Sequence, residues 1–213
     1  MSTIQVDTIN ESTSNTGTTV EGVLLKDSQM ASTYLDGGLV KLKSVTASST
    51  SEIDFSTSAT GWNNTTYNSF IIKGRWIRPS VDTARHHIVL ASGTSKRTGT
   101  YELGMYQMRN DSSQSGYYQQ DYNTALEFGV QLGVNGEETF AFNIEVIPTG
   151  DSGSNHGGAT VGFFDAVTQA SNGSGWTYRG GFQYDSTSYM DGAYISASTG
   201  SIASGEYEFY GVK

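Results

Sequence analysis

Residues 110–122 (NDSSQSGYYQQDY) bring tyrosines together with amides and carboxylates, a combination that suits the binding of a sugar. An aromatic ring packs against the C–H face of a sugar, while neighbouring amides and carboxylates form hydrogen bonds with its hydroxyl groups. We therefore predict a glycan-binding site on a polar loop, formed by Tyr117, Tyr118, Gln119, Asp121 and Tyr122. Because tyrosine is also enriched at protein interfaces, packing of this loop between subunits is the alternative interpretation.

Two tryptophans in glycine- and asparagine-rich surroundings are further candidates for ligand contacts. Trp62 follows Gly61 and precedes Asn63, and Trp176 ends the sequence NGSGW. The alternative is that both belong to turns that bind nothing.

Neither catalysis nor metal binding is predicted. His86 and His87 are adjacent, so on a strand they point to opposite faces and cannot share a metal ion. His156 stands apart in a glycine-rich stretch, and the chain contains no cysteine. The sequence also lacks the G-x-S-x-G motif of serine hydrolases and the H-E-x-x-H motif of zinc-binding helices. We therefore expect no enzymatic activity, no metal site and no cofactor.

The composition indicates an all-β protein. The chain of 213 residues contains 26 Gly, 13 Tyr and only 2 Pro, and charged residues make up 15% of it. Soluble domains typically contain about 25% charged residues. No segment shows apolar residues at the three- and four-residue spacing of an amphipathic helix. We predict about ten antiparallel strands arranged as a sandwich.

Alternating apolar residues mark the strands that would position the candidate site. The clearest core face consists of Phe140, Phe142, Ile144 and Val146. Residues 69–77 (SFIIKGRWI) predict a central strand, ended by a proline that cannot donate a ladder hydrogen bond. The chain divides at residues 36–38 (DGG) into two parts. We expect an N-terminal attachment segment with a linker (residues 1–36) and a jelly-roll-like antiparallel β-sandwich (residues 37–213).

The charge excludes one class of partner. The net charge of −9 argues against nucleic acid, whose binding requires a basic surface that neutralises phosphates. The basic residues between positions 73 and 97 are interpreted as solvated charges of strands and loops. A membrane partner is not expected either, because no apolar run approaches the roughly 20 residues that span a bilayer.

The N-terminal segment contains strands but too few apolar residues to form a core. Because a segment this short buries little surface alone, it needs a partner surface on its own chain or on other subunits. We predict that it mediates oligomerisation or attachment through Ile4, Val6, Ile9, Val20, Val23 and Leu25.

Both ends of the chain resemble bacteriophage proteins. Residues 6–27 (VDTINESTSNTGTTVEGVLLKD) closely resemble the N-terminal segment of tail-fibre and other virion structural proteins of marine bacteriophages. Ser28 stands where that pattern usually has glycine. Residues 202–213 (IASGEYEFYGVK) are similar to the closing strand of a C-terminal β-domain in phage tail-fibre proteins. Residues 44–56 (SVTASSTSEIDFS) resemble the opening of the same domain.

The resemblance implies a structural protein on the surface of a phage particle. The expected role is a tail-fibre or appendage subunit that presents its β-sandwich for recognition of a host-surface glycan. A homotrimer is expected by analogy with phage fibres, with contacts to other virion proteins through residues 3–27. The alternative is a capsid-decorating or head-fibre protein bound to the shell through its N-terminal segment. A free lectin is a third class, but it would not need such a segment.

Overall fold

The computed structural model describes residues 18–20, 23–26, 29–30, 38–110, 115–122, 124–132, 139–148, 159–169, 174–185 and 188–213. Within these residues the chain forms sixteen strands and one short helix. The elements are β1 (Thr18–Val20), β2 (Val23–Lys26), β3 (Gln29–Met30), β4 (Leu39–Thr50), β5 (Glu52–Phe55), α1 (Thr57–Thr60), β6 (Ser69–Pro79), β7 (Ala84–Ser92), β8 (Ser95–Lys96), β9 (Tyr101–Arg109), β10 (Ser115–Tyr122), β11 (Leu126–Leu132), β12 (Phe140–Ile147), β13 (Ala159–Gln169), β14 (Gly175–Asp185), β15 (Gly192–Ala197) and β16 (Ile202–Val212).

The described strands form three antiparallel sheets. The large sheet has the order β10-β9-β14-β13-β12-β6-β16-β4, and the small sheet has the order β11-β7-β15-β5 with β8 paired to β7. The strands β1, β2 and β3 pair with one another in an N-terminal sheet. The predicted all-β fold with an antiparallel sandwich is therefore confirmed.

Aromatic side chains join the two sheets of the sandwich. The ring of Phe55 on β5 lies 5.4 Å from that of Phe209 on β16. The ring of His86 on β7 lies 5.7 Å from Phe142 on β12 and 5.8 Å from Tyr207 on β16. These contacts place the core between the facing sheets, where stacked and tilted rings bury large apolar surfaces.

The apolar residues whose alternation predicted the strands are the residues that the structure buries. All four residues of the predicted core face on β12 are buried: Phe140, Phe142, Ile144 and Val146. The predicted central strand is β6, which lies between β12 and β16 and ends at Pro79.

The prediction of a polar loop at residues 110–122 was wrong. Residues Ser115–Tyr122 form β10, which pairs along its whole length with β9. Polar composition had indicated a loop, but a strand at the edge of a sheet is commonly polar, since unpaired apolar edges promote aggregation. The candidate residues Tyr117, Tyr118, Gln119, Asp121 and Tyr122 therefore belong to a strand.

The N-terminal segment is also more regular than its sequence indicated. Its strands β1 and β2 pair antiparallel, with Val20 opposite Val23 and Thr18 opposite Leu25. The predicted linker contains β3. Of the remaining attachment residues, Ile4, Val6 and Ile9 lie outside the described residues.

A buried polar pair lies at the centre of the sandwich. Nε2 of His86 and the hydroxyl of Tyr207 are 3.1 Å apart and share a hydrogen bond. Burial in the core, with a smaller effect of the neighbouring His87, lowers the pKa of His86 from 6.5 to about 3. The folded protein therefore holds this imidazole in its neutral form at pH values where the unfolded chain binds a proton.

We expect this histidine to make the protein acid-sensitive. Because the pKa of His86 is lower in the folded state, it reduces the free energy of unfolding as pH falls from about 6.5 towards about 3 and has no such effect at higher pH. The slope reaches about 1.4 kcal/mol per pH unit. His86→Phe should lower stability at pH 7 by about 1–3 kcal/mol, because the hydroxyl of Tyr207 loses its partner, while flattening the acid slope.

Urea unfolding curves recorded between pH 4 and pH 8 test this expectation. His87→Gln is the matched control, and it should keep the steep part of the slope. Equal acid slopes in the wild type and in His86→Phe would show that protonation of His86 does not limit stability.

Candidate functional site

Exposed apolar side chains are concentrated on one face of the large sheet. We call this the outer face, because it is turned away from the small sheet. Among the described residues it carries Leu39 on β4, which is opposite Val212 on β16, and five of the other six large apolar side chains that are exposed; the sixth is Val81. The five are Trp76 (66% exposed), Tyr106 (40%), Met108 (48%), Phe163 (61%) and Val167 (51%). This face is therefore the first place to look for contacts with a partner or a ligand.

Strand pairing explains how residues distant in sequence meet on the outer face. Tyr106 on β9 is opposite Arg179 on β14, which in turn is opposite Asp165 on β13. Nε of Arg179 lies 2.6 Å from a carboxylate oxygen of Asp165. Both side chains are largely exposed, so water and salt screen this ion pair and it contributes little to stability.

Two adjacent glycines create an open groove on this face, which we call the Gly104 groove. Gly104 on β9 is the register partner of Gly181 on β14, and Gly181 is the register partner of Phe163 on β13. The groove has a volume of about 490 Å³. Its lining consists of Glu102, Leu103, Gly104, Val161, Gly162, Phe163, Gly181, Phe182 and Gln183.

The packing of the described residues does not demand glycine at position 104. A Cβ atom added at Gly104 would meet no atom of the described part of the chain within 4 Å. By contrast, a Cβ atom at Gly180 would lie 2.2 Å from the carbonyl oxygen of Gly104, so packing alone demands glycine at position 180. A strand interior normally favours residues with side chains. The glycine at position 104 therefore leaves an open space on the outer face.

The predicted site residues lie beside this groove, but they do not form one cluster. In the pairing of β10 with β9, Tyr117, Gln119 and Asp121 are opposite Tyr106, Gly104 and Glu102. The remaining two positions, 118 and 122, are opposite the buried residues Met105 and Tyr101. Because successive positions of a strand belong to opposite faces, the five predicted positions are divided between the two faces of the sheet.

The exposed Trp76 is displayed by a bulge in β6. Ile77 and Gly74 are opposite Phe140 and Phe142, so two residues of β6, Arg75 and Trp76, occupy the space of one residue on β12. Trp76 has a positive φ of 56°. For a bulky side chain the left-handed region costs on the order of 1–2 kcal/mol.

A second open space adjoins this tryptophan, which we call the Trp76 groove. Its volume is about 420 Å³. It is lined by Thr46, Ala47, Trp76, Arg78, Thr139, Ser204, Gly205 and Glu206. The lining thus combines one large aromatic ring, three hydroxyl groups, a carboxylate and a guanidinium group.

The two arginines beside this tryptophan have different partners. Nε of Arg75 lies 2.7 Å from a carboxylate oxygen of Glu206, and its Nη2 lies 3.9 Å from Glu208. Arg78 donates a hydrogen bond of 3.3 Å from Nε to the hydroxyl of Ser204. Among the described residues Arg78 forms no ion pair, so its charge is not neutralised by a carboxylate of the described chain.

The other two tryptophans belong to the core. Trp62 is fully buried and donates from Nε1 to the carbonyl of Ser69 at 3.2 Å. Trp176 is 8% exposed, and the guanidinium group of Arg109 lies 5.4 Å from its ring centroid. Trp62 therefore offers no exposed surface to a ligand. Trp176 lines an open groove of about 420 Å³ beside Met108 and Val167, and its contact with a ligand stays a prediction.

The sequence did contain a signal for Trp76. Regular alternation from Ile72 and Gly74 would bury position 76, yet it would then expose Ile77 and bury the charge of Arg78. Only one extra residue in the strand buries Ile77 and exposes both neighbouring arginines, and this indicates a bulge between Gly74 and Ile77.

The histidine pair has the predicted geometry. His86 is buried against Tyr207, whereas Nε2 of His87 lies 2.9 Å from a carboxylate oxygen of Glu127 on the opposite face of the small sheet. In the part of the chain that the structure describes, no group of three or more potential ligands is arranged to hold a metal ion. None of the described helices is long and apolar enough to cross a membrane.

Comparisons with protein-family models, with curated proteins and with solved structures return no match for this chain.

We expect truncation of Trp76 and truncation of Trp62 to have different effects on the stability of the protein. Trp76→Gly should leave the free energy of unfolding unchanged or raise it by up to about 1 kcal/mol, because glycine removes the strain of positive φ. Trp62→Ala should lower it by about 3–5 kcal/mol through the cavity it leaves. Urea unfolding followed by circular dichroism measures both values. A comparable loss in the two variants would show that Trp76 has a structural role.

Proposed function

We propose that this protein is a structural subunit of a bacteriophage virion, an appendage or tail-fibre subunit whose outer face binds a glycan of the host surface. The resemblance of residues 6–27 and 202–213 to phage virion proteins supports the assignment to a particle. The observation that carries the binding role is the Gly104 groove, an open trough at the paired glycines Gly104 and Gly181, beside the exposed ring of Phe163.

The groove offers the contacts that a sugar ring requires. Phe163 is 61% exposed and can cover the C–H face of a pyranose, as aromatic rings do for apolar surfaces. Glu102 and Gln183 line the same groove and are register partners. The carboxylate of Glu102 and the amide of Gln183 therefore lie next to each other and can form hydrogen bonds with the hydroxyl groups of the sugar. The absence of side chains at Gly104 and Gly181 lets the ring approach the sheet.

Weak binding in one groove suits a particle that carries many copies. An open groove buries little of a ligand, so the affinity of a single subunit for a sugar is expected to be low. In an oligomeric appendage, repeated grooves engage one cell surface together, and avidity can exceed single-site affinity by 10²–10⁴. The attachment segment and the groove thus have complementary tasks in this proposal.

Capsid decoration remains the second candidate, because residues 6–27 resemble segments found in several kinds of virion protein. In that role the sandwich would be a passive surface feature. Binding of a glycan by the outer face distinguishes the two roles.

We expect Gly104→Val to abolish glycan binding without unfolding the protein. The new side chain enters open space and valine favours a strand, so the free energy of unfolding should stay the same or rise. Binding of fluorescently labelled protein to polysaccharide extracted from host cells gives the readout. Gly116→Val is the matched control, because a Cβ atom at Gly116 on β10 also meets no atom within 4 Å and this position does not line the groove. Unchanged binding by Gly104→Val would remove the groove from the proposal.

We expect the N-terminal sheet to control assembly. Replacing Val20 and Val23 together by Asp puts two like charges at directly paired positions, which destabilises a strand pair. Native mass spectrometry of the full chain should show a trimer that dissociates to monomer in this double variant, whereas Leu39→Asp, at an exposed position of the sandwich, should leave the trimer intact. A double variant that stays trimeric would place assembly in the sandwich instead.

A further inference from the structure

We infer that Trp76 and Arg78 form a second carbohydrate site, separate from the Gly104 groove and selective for sugars that carry a carboxylate, such as hexuronic acids. The inference rests on the proposed function for its choice of a glycan as ligand. Its residues, its location and its selectivity come from the Trp76 groove alone.

The display of Trp76 has a local cost in stability. The side chain is 66% exposed although the preceding alternation of β6 would bury it, and its φ of 56° lies in the region that favours glycine. Strained residues of this kind persist where the conformation serves a function. An exposed indole is the largest apolar platform among the natural side chains, and it suits the C–H face of a sugar ring.

The bulge also brings Arg78 to the same face as Trp76. The strand continues after Trp76 with Ile77 turned into the core, and Arg78 is again on the outer face opposite Ser204. Trp76 and Arg78 are two residues apart on the same face, a separation of about 6–7 Å along a strand. A carboxylate on a sugar ring that covers the indole therefore comes within reach of the guanidinium group.

The charge of Arg78 gives the site its selectivity. Arg75 is neutralised by Glu206 and Glu208, whereas Arg78 has no ion pair among the described residues. A guanidinium group binds a carboxylate through two parallel hydrogen bonds, and its charge is available here without breaking an existing pair. Hydroxyl groups of Thr139 and Ser204 line the same groove and can bind the hydroxyl groups of the sugar.

Two sites on one face favour a polymer as ligand. The strand β6 lies three positions from β14 in the large sheet, which corresponds to about 14 Å across the strands. A chain of several sugars crosses this distance along the outer face, whereas a single sugar occupies one groove. The overall charge of −9 repels a polyanion, so the local cation is needed to hold one.

The tryptophan itself reports on occupancy. The chain contains three tryptophans, of which Trp62 and Trp176 are buried and Trp76 is exposed. Quenching of fluorescence by acrylamide, a neutral quencher, therefore measures access to Trp76 in the full chain. A short oligogalacturonate should protect Trp76 from quenching, and the same oligosaccharide with its carboxyl groups reduced to alcohols should bind at least tenfold more weakly.

Substitutions separate the second site from the first. Arg78→Gln should weaken oligogalacturonate binding by at least tenfold and leave the affinity for the reduced oligosaccharide unchanged. Arg85→Gln removes the same charge from the small sheet and serves as the control. Added salt should weaken binding of the acidic oligosaccharide and have little effect on the neutral one.

The outcomes distinguish this inference from the proposed function. Equal affinity for the acidic and the reduced oligosaccharide would overturn the carboxylate selectivity. Absence of protection at Trp76, together with host-polysaccharide binding that depends on Gly104, would overturn the second site and leave the proposed function standing. Trp76 already shielded in the free trimer would show that a second copy of the chain covers it, and would also overturn the site.

Discussion

The whole arrangement depends on the aromatic contact between the two sheets. Rings such as Phe55 and Phe209, 5.4 Å apart, bury the inner face of the large sheet, and they fix which residues of each strand point inwards. A shift of one residue in any strand would exchange its inner and outer side chains and destroy this contact. The strong preference of the core for one register therefore also determines the composition of the outer face.

Two local departures from regular strands then shape that face. Glycine at position 104 replaces a side chain that the strand would accept, and the bulge at Trp76 adds a residue in a strained conformation. Both departures have a local cost in stability, since glycine weakens a strand interior and a positive φ disfavours tryptophan. Departures from local rules are typical of functional sites. Both belong to the face that the core leaves open, and this is the physical basis for placing recognition there.

Much of the fold could be predicted from the sequence, because alternation is a local property. The face from Phe140 to Val146 and the end of β6 at Pro79 follow directly from residue types. The edge strand β10 was missed because its polar residues resemble a loop. The Gly104 groove could not be predicted, since it exists only through the pairing of strands that are distant in sequence. The exposure of Trp76 could be predicted only from the pairing of β6 with both of its neighbouring strands, although the charges of Arg75 and Arg78 indicated a bulge.

The central claim is that the outer face of the large sheet binds a glycan. Mapping of amide chemical shifts by nuclear magnetic resonance, during titration of the full chain with host-derived oligosaccharide, tests it most directly. We expect the largest changes at Gly104, Gly181 and Phe163, with the N-terminal sheet and the small sheet unaffected. Changes confined to the small sheet or to the N-terminal sheet, or no changes at all, would contradict the claim.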